Sequence, residues 1–256
     1  MRIPGIGGID THVNSGMTTH QFAFAAHGRT VPAILWARAG SSGRRPLLLI
    51  GHGGSQHKSH PAIAALARCF VIPHDYVVAA IDGPIHGQRR AGDAPCAAQM
   101  QREFISMWQT DTRIDSMIAD WRALIDLLAA AAEINCDAIG WLGLSMGTAY
   151  GLPLLACERR IGVAVLGMWG TSFVNSERLA QDAQHVRCPV LFQQKWHDEY
   201  YTREGQIELF DRLGSTDKQL NVYMGSHTVP SGRQLADLVD YLTRHLTASR
   251  QCDSTM

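Results

Sequence analysis

The sequence contains only three lysines, Lys58, Lys195 and Lys218, and carries no net charge, 23 basic residues balancing 23 acidic ones. That balance gives no sign of the basic footprint of a nucleic-acid binder or of the polybasic face of a protein that docks on an anionic membrane. No run of 18 apolar residues occurs, so no membrane span is expected. The opening stretch MRIPGIGGIDTHVNSGMTTH lacks an apolar core of signal-peptide length, and the expected location is the cytoplasm. Cys69, Cys96, Cys136, Cys157, Cys188 and Cys252 are scattered, with no C-x-x-C pair and several inside apolar runs. They read as reduced thiols and not as a disulfide framework. No H-E-x-x-H motif, internal repeat, low-complexity tract or linker is found.

What is present is the composition of a globular chain: 256 residues, 46% apolar and 18% charged, enough for one sizeable core. HQFAFAAHG and VPAILWARAG are short alternating segments split by a Gly-containing turn, and they read as a hairpin. From PLLLIGHGG onward, apolar strand-like runs alternate with helical spacing. HPAIAALARCF is helical and DYVVAAI a buried strand. A helical pattern extends from about Gln101 to Ala132 with room for one break. The later strands are DAIGWLGL, IGVAVLGM, CPVLFQQ and KQLNVYM. Between them lie TAYGLPLLACE, the short helix SERLAQDAQH with Asn175 or Ser176 as its cap, and REGQIELFDRLG. A last helix is opened by Ser231. This order implies an α/β fold, a mostly parallel sheet of about eight strands with helices on both faces and an N-terminal antiparallel hairpin. The reading is one domain over residues 1–256, with its core at about 20–247 and polar tails. Functional residues of such sheets lie beyond the carboxyl ends of the strands.

Gly143-Leu144-Ser145-Met146-Gly147 fits G-x-S-x-G, with an apolar strand before it and an apolar helix after it. A tight strand-to-helix turn would hold Ser145 in a strained conformation, with glycines where side chains would collide. It would present the hydroxyl at a helix N-terminus, which favours developing negative charge. The plainer alternative is a serine that merely opens a helix. A serine hydroxyl needs a base to become a nucleophile. His227 follows the last strand and is the candidate. His185 and His245 fall in or at the end of helices, and His197 is the remaining competitor. The imidazole needs a carboxylate to fix its tautomer and stabilise its charge. Asp198 follows CPVLFQQ and is favoured over Glu199, which could instead cap the next helix. The chain order is then Ser145, Asp198, His227.

GHGG after an apolar strand, GLSMG, the Asp198 loop and GSH near the end resemble the α/β-hydrolase family over about residues 20–247. Within it the chain looks most like the small dienelactone-hydrolase-like and acyl-peptidase-like serine esterases. DGPIHGQ resembles the D-x-x-G-x-G loop common in them. Two departures matter. Dienelactone hydrolases use a cysteine nucleophile, and Ser145 points instead to general ester hydrolysis. The stretch from Trp169 to Cys188 is too short for the helical lid many relatives carry there, which leaves residues 84–115 as the source of a small one. The resemblance implies an oxyanion hole made by the amides of Met146 and Gly54, with Ser55 second to Gly54, and His52 holding that loop by hydrogen bonds. It implies acyl transfer through an acyl-enzyme with no cofactor.

GHGGSQHKSH packs three histidines together, and His52, His57, His60, Asp82 and His86 offer an alternative reading as a metal site. A zinc centre needs three or four convergent ligands and supporting hydrogen bonds, and the reading adopted is no metal. His57 and His60 then stand at the substrate mouth or cap the helix beginning near Pro61. Pocket candidates are Ser55, His86, Trp108, Trp169 and Trp196, whose aromatic surface would suit an apolar or aromatic group. The alternative is that the tryptophans only pack the loops. Lys195 and Arg203 are the candidates for holding a charged substrate group. The implied partner is a small-molecule ester, with no nucleic acid and no membrane. A homodimer is compatible with the sequence but has no readable interface. An amidase or peptidase, thioesterase or lactonase on the same triad is the alternative. A non-catalytic ligand-binding protein on this fold is a further one, against which the presence of all three triad members argues.

Overall fold

Two tight turns set the register of the N-terminal strands. Ser15-Gly16 and His27-Gly28 both take positive φ (48° and 78°, 47° and 77°), the pair of left-handed residues that a two-residue hairpin turn requires. They pair Asn14 with Met17 and Ala26 with Arg29. The expected hairpin is β2 (Met17–Ala26) with β3 (Arg29–Arg38), and β1 (Asp10–Asn14) extends it to a three-strand meander. The five residues of β1 are all exposed. They carry no apolar alternation that would mark them as a strand, so the sheet exceeds the expected count.

The computed structural model describes residues 3–92 and 95–251, with side chains through Leu246. Among the described residues nine strands form one sheet in the order β1-β2-β3-β5-β4-β6-β7-β8-β9. The remaining strands are β4 (Arg45–Gly51), β5 (Val77–Ile81), β6 (Ile134–Gly143), β7 (Ile161–Gly167), β8 (Val190–Lys195) and β9 (Lys218–Tyr223). The helices are α1 (Pro61–His74), α2 (Ala97–Thr110), α3 (Ile114–Ala129), α4 (Met146–Cys157), α5 (Glu177–Ala183), α6 (Arg203–Arg212) and α7 (Gly232–Gln251). The N-terminal meander joins β5 antiparallel through β3, and all pairings from β5 across to β9 are parallel. The long helical pattern breaks at a left-handed Arg113 (φ 58°) into α2 and α3. Helix α7 continues to Gln251, into the expected polar tail, whose residues 252–256 lie outside the described ones. No described helix is long and apolar enough to cross a membrane.

Strands β4 to β8 are covered on both faces, which is why they read as unbroken apolar runs. Alternate residues feed two core layers. Leu47 and Leu49 pack with Trp121, Leu124 and Leu128 of α3 on one face. Leu48 and Ile50 pack with Phe70 of α1 and Leu238 and Leu242 of α7 on the other. The chain steps from β4 to β5 in one direction, then returns across β4 to β6. The loops leaving β4 and β6 therefore part at a topological switch point, where sheets of this type bind ligands. Gly51 pairs with Gly143 at this point.

One ion cluster ties the meander to the helical layer. Asp120 of α3 is wholly buried and accepts from Arg29 Nη2 and Arg89 Nη1, each at 2.7 Å. Removing the carboxylate leaves the largely buried Arg89 guanidinium without its partner, while the more exposed Arg29 can turn to water. Asp120→Ala is expected to lower unfolding stability by about 3 kcal/mol, read as a shift of the urea midpoint.

Candidate active site

The strand-to-helix turn after β6 is built by backbone crowding. Ser145 sits at φ 57° and ψ −123°, outside the regions open to an ordinary side chain. A Cβ on Gly143 would lie 2.5 Å from the Gly147 carbonyl oxygen, and one on Gly147 would run into the Gly51 carbonyl oxygen. Trp141, fully buried, lies across the same place, and a Cβ on Gly51 would come within 2.7 Å of its ring. Hydrogen bonds hold the turn. Ser145 N–H donates to Gly167 O at 2.9 Å. The Thr148 hydroxyl accepts from Gly167 N–H at 2.8 Å and points its own proton at the Gly143 and Gly167 carbonyls.

Three loops bring Ser145, His227 and Asp198 into line. His227 Nε2 is 2.9 Å from Ser145 Oγ, and His227 Nδ1 is 2.9 Å from Asp198 Oδ2. The other carboxylate oxygen, Oδ1, accepts from the backbone N–H groups of Tyr200 and Tyr201 at 3.0 and 3.1 Å. Asp198 is therefore fixed before it meets the histidine. Glu199 does not cap α6. Thr202 does so by accepting from Gly205 N–H at 3.1 Å. Glu199 Oε2 instead accepts from His227 N–H at 2.8 Å, which anchors the histidine loop. His197 is exposed, and its N–H donates to Gly225 O. Tyr201 was not singled out in the sequence. It is buried, its ring lies 5.5 Å from that of His227, and burial keeps its hydroxyl, beside Ser145, protonated.

The GHGGSQHKSH loop wraps over this line, held by the side chains of His52, Gln56, Lys58 and His60. Gly53 N–H is occupied by Gln56 Oε1 at 3.0 Å. The N–H groups of Gly54, Ser55 and Met146 make no hydrogen bond to another described residue. His86 Nε2 donates to the Gly54 carbonyl at 3.0 Å. His52 bridges two loops: its Nδ1 donates to Gly53 O and its Nε2 accepts from Gly83 N–H, both at 2.9 Å. Lys58 and Asp82 form a buried ion pair at 2.9 Å, joined by Lys58 N–H, Gln88 N–H and Gln88 Oε1. His60 caps α1 by accepting from Ala62 N–H. Among the described residues no three His, Cys, Asp or Glu side chains stand where they could share a metal ion.

A cavity of about 510 Å³ opens over Ser145 and His227, with Gly54 and Ser55 in its wall. Four other residues expected there do not border it. His86 is buried beneath Gly54. Trp108 and Trp169 are wholly buried on the α2 side, 4.9 Å apart and steeply inclined, packed with Phe104. Phe173 and Tyr201 extend the same cluster beside Trp169. The indole N–H of Trp108 donates to Val174 O and that of Trp169 to Ser176 Oγ. Ser176 thus serves Trp169, and neither it nor Asn175, which donates to Trp108 O, caps α5 through its side chain. Trp196 faces solvent beneath the Arg203 guanidinium, 4.1 Å away. Lys195, also buried, and Arg203 lie outside the cavity wall. An aromatic residue at a strand end can serve either face of the sheet, and here the cavity lies on the other one.

The bracing histidines give a pH dependence. Burial, reinforced by the neighbouring His86, holds His52 down to about 3, and burial holds His86 down to about 4. Both are neutral in the fold, as their hydrogen bonds require, whereas the unfolded chain protonates them near 6.5. The unfolded state binds more protons between these values, so stability falls as pH drops from about 6.5 toward 4. A series of thermal midpoints is expected to show this slope. His86→Gln, whose amide can still donate to Gly54, should flatten it.

No family model and no curated protein matches the chain. Solved structures do. A cold-adapted esterase from an Arctic intertidal metagenomic library, in its PEG-bound complex, is 36% identical over 96% of this chain and 99% of its own, with a TM-score of 0.82. Acetyl xylan esterase 1 from Thermoanaerobacterium sp. JW/SL YS485 is 17% identical over 94% of this chain and 88% of its own, with a TM-score of 0.70. The 2,6-dihydroxy-pseudo-oxynicotine hydrolase is 18% identical over 89% and 68%, with a TM-score of 0.68. The last two share the fold. With the first the likeness extends to sequence along nearly the whole of both chains, and this chain belongs to the α/β-hydrolase family, in the company of its esterases.

Proposed function

We propose that the chain is a serine hydrolase that cleaves carboxylic esters of small molecules through an acyl-enzyme. The observation that carries this reading is the unbroken line from Asp198 Oδ2 through His227 to Ser145 Oγ, 2.9 Å at each step, beneath an open cavity. His227 takes the Ser145 proton as the oxygen attacks the ester carbonyl. Asp198 holds the imidazole with Nδ1 protonated, so that Nε2 faces the serine, and stabilises the imidazolium. The oxyanion is received by the amides of Met146 and Gly54, the second favoured because Gly53 N–H is already engaged. The alcohol leaves with the proton from His227, and water repeats the sequence on the acyl-enzyme. These steps call on no group beyond the side chains, the two amides and water.

The proposed location is the cytoplasm. Amides, thioesters and lactones are the competing substrates for the same line of residues, and a panel of each at equal concentration ranks them. The first test is hydrolysis of p-nitrophenyl esters. Ser145→Ala is expected to lower kcat by at least about a thousandfold. His227→Ala should do the same, and the double variant should be no slower than either alone, because the two act as one unit. Full activity in Ser145→Ala would end the proposal.

A further inference from the structure

The cavity over Ser145 has a direction. Its wall includes Ala62, Ala65, Leu66 and Cys69 of α1. Those positions are spaced as one face of a helix over two turns, so at 1.5 Å per residue the cavity follows α1 for about 10 Å. Ile50 and Leu142 border it from the ends of β4 and β6, Pro230 from the segment leading into α7 and Leu235 from the first turn of α7. No Lys, Arg, Asp or Glu borders it among the described residues. The opposite side of Ser145 is filled by the buried cluster of Trp169 and Tyr201. At its far end Ala65 and Cys69 also wall a second, smaller cavity beside Ser15 and Ile72.

We propose that this cavity is the acyl site and that it selects a linear, uncharged aliphatic acyl chain, laid along α1 from Ser145 toward Cys69. The assignment rests on the esterase reading above. Chemistry decides which half of the ester enters. The alcohol must leave toward solvent before water can enter, whereas the acyl group stays bonded to Ser145 Oγ until the second step. The lobe along α1, walled by half-buried Ala62, Leu66 and Cys69 and by buried Ile63, therefore suits the acyl chain. The side with exposed Ala97, Ala98 and Tyr200 is the mouth and serves the alcohol. A carboxylate or ammonium on the acyl chain would lie against apolar side chains with no charged partner, which disfavours it. Each added methylene gains contact until the chain reaches Cys69. Leu66 and Cys69 are then the residues that set chain length, and the thin wall at Ala65 and Cys69 marks where a longer chain would emerge, near the β1–β2 turn.

The test is a series of p-nitrophenyl acetate, butyrate, octanoate and laurate with wild type, Cys69→Trp and Leu66→Phe. Far-UV circular dichroism and thermal midpoints check that each variant is folded. Wild type is expected to favour octanoate over acetate in kcat/KM by at least about tenfold. Either folded variant should lower octanoate turnover by at least about tenfold and leave acetate within about twofold. Two different bulky substitutions keep the test decisive if one of them does not fold. Wild-type activity that is flat or falls with chain length would overturn the acyl site while leaving the esterase reading intact. So would a variant that slows acetate and octanoate alike. Absence of hydrolysis for every ester, with turnover of amides or thioesters instead, would overturn both.

Discussion

Three pieces of backbone meet at Gly51, Gly143 and Gly147, closer than any side chain would permit, and the site is organised around that contact. A single methyl group at Gly147 would push α4 away from β4. The turn that carries Ser145 would then have to relax. As it stands, Ser145 is held in a backbone conformation that costs on the order of 1–3 kcal/mol. Thr148 and the Gly167 backbone clamp it there by hydrogen bonds on both sides. The same contact sets the loop leaving β4, the proposed oxyanion loop, against the serine, because Gly51 is both the last residue of β4 and the pairing partner of Gly143. The buried indole of Trp141, seated across these glycines, fills the space that their missing side chains leave.

Around this contact the loops are fastened by groups of two electrical kinds. His52 and His86 brace the chain as neutral imidazoles, His52 by two hydrogen bonds and His86 by one, where a charge could not be sustained. Lys58 and Asp82 brace it as a fully paired ion couple, with Gln88 satisfying what the pair leaves over. Removing one member of such a couple strands the other, whereas the neutral braces lose little more than their own bonds. The region beside the serine is thus rigid without leaving a free charge near the place where an oxyanion would form. Asp198 and His227 have the same protection, since Asp198 is saturated by two amides and the His227 backbone is held by Glu199.

The features that were legible in the sequence share one property: their signal is local. Ser145 announces itself by strand, glycines and helix within a dozen residues, and Asp198 and His227 by standing just past apolar strands. The alternation of strands and helices follows from burial on both faces of β4 to β8. What was not legible depends on which way a side chain turns or on what crosses from afar. Trp108 and Trp169 belong to strand-end and helix surroundings that fit a pocket as well as a core, and only the packing with Phe104 and Tyr201 decides between them. Glu199 had two reachable partners, a helix end and the His227 backbone. Lys58 looked like one member of a rare residue type, because its partner Asp82 lies on another loop. β1 has no apolar side to betray it and exists through pairing with β2.

Indole placement has a spectroscopic consequence. Trp36, Trp108, Trp121, Trp141 and Trp169 are at most 2% exposed, while Trp196 is 39% exposed and stacked beneath Arg203. An aqueous collisional quencher therefore meets one emitter in six, and that one stands two residues before Asp198. The quenchable fraction of the native fluorescence is in effect a label on the carboxylate loop. It reports on that loop separately from the five emitters that record the integrity of the core.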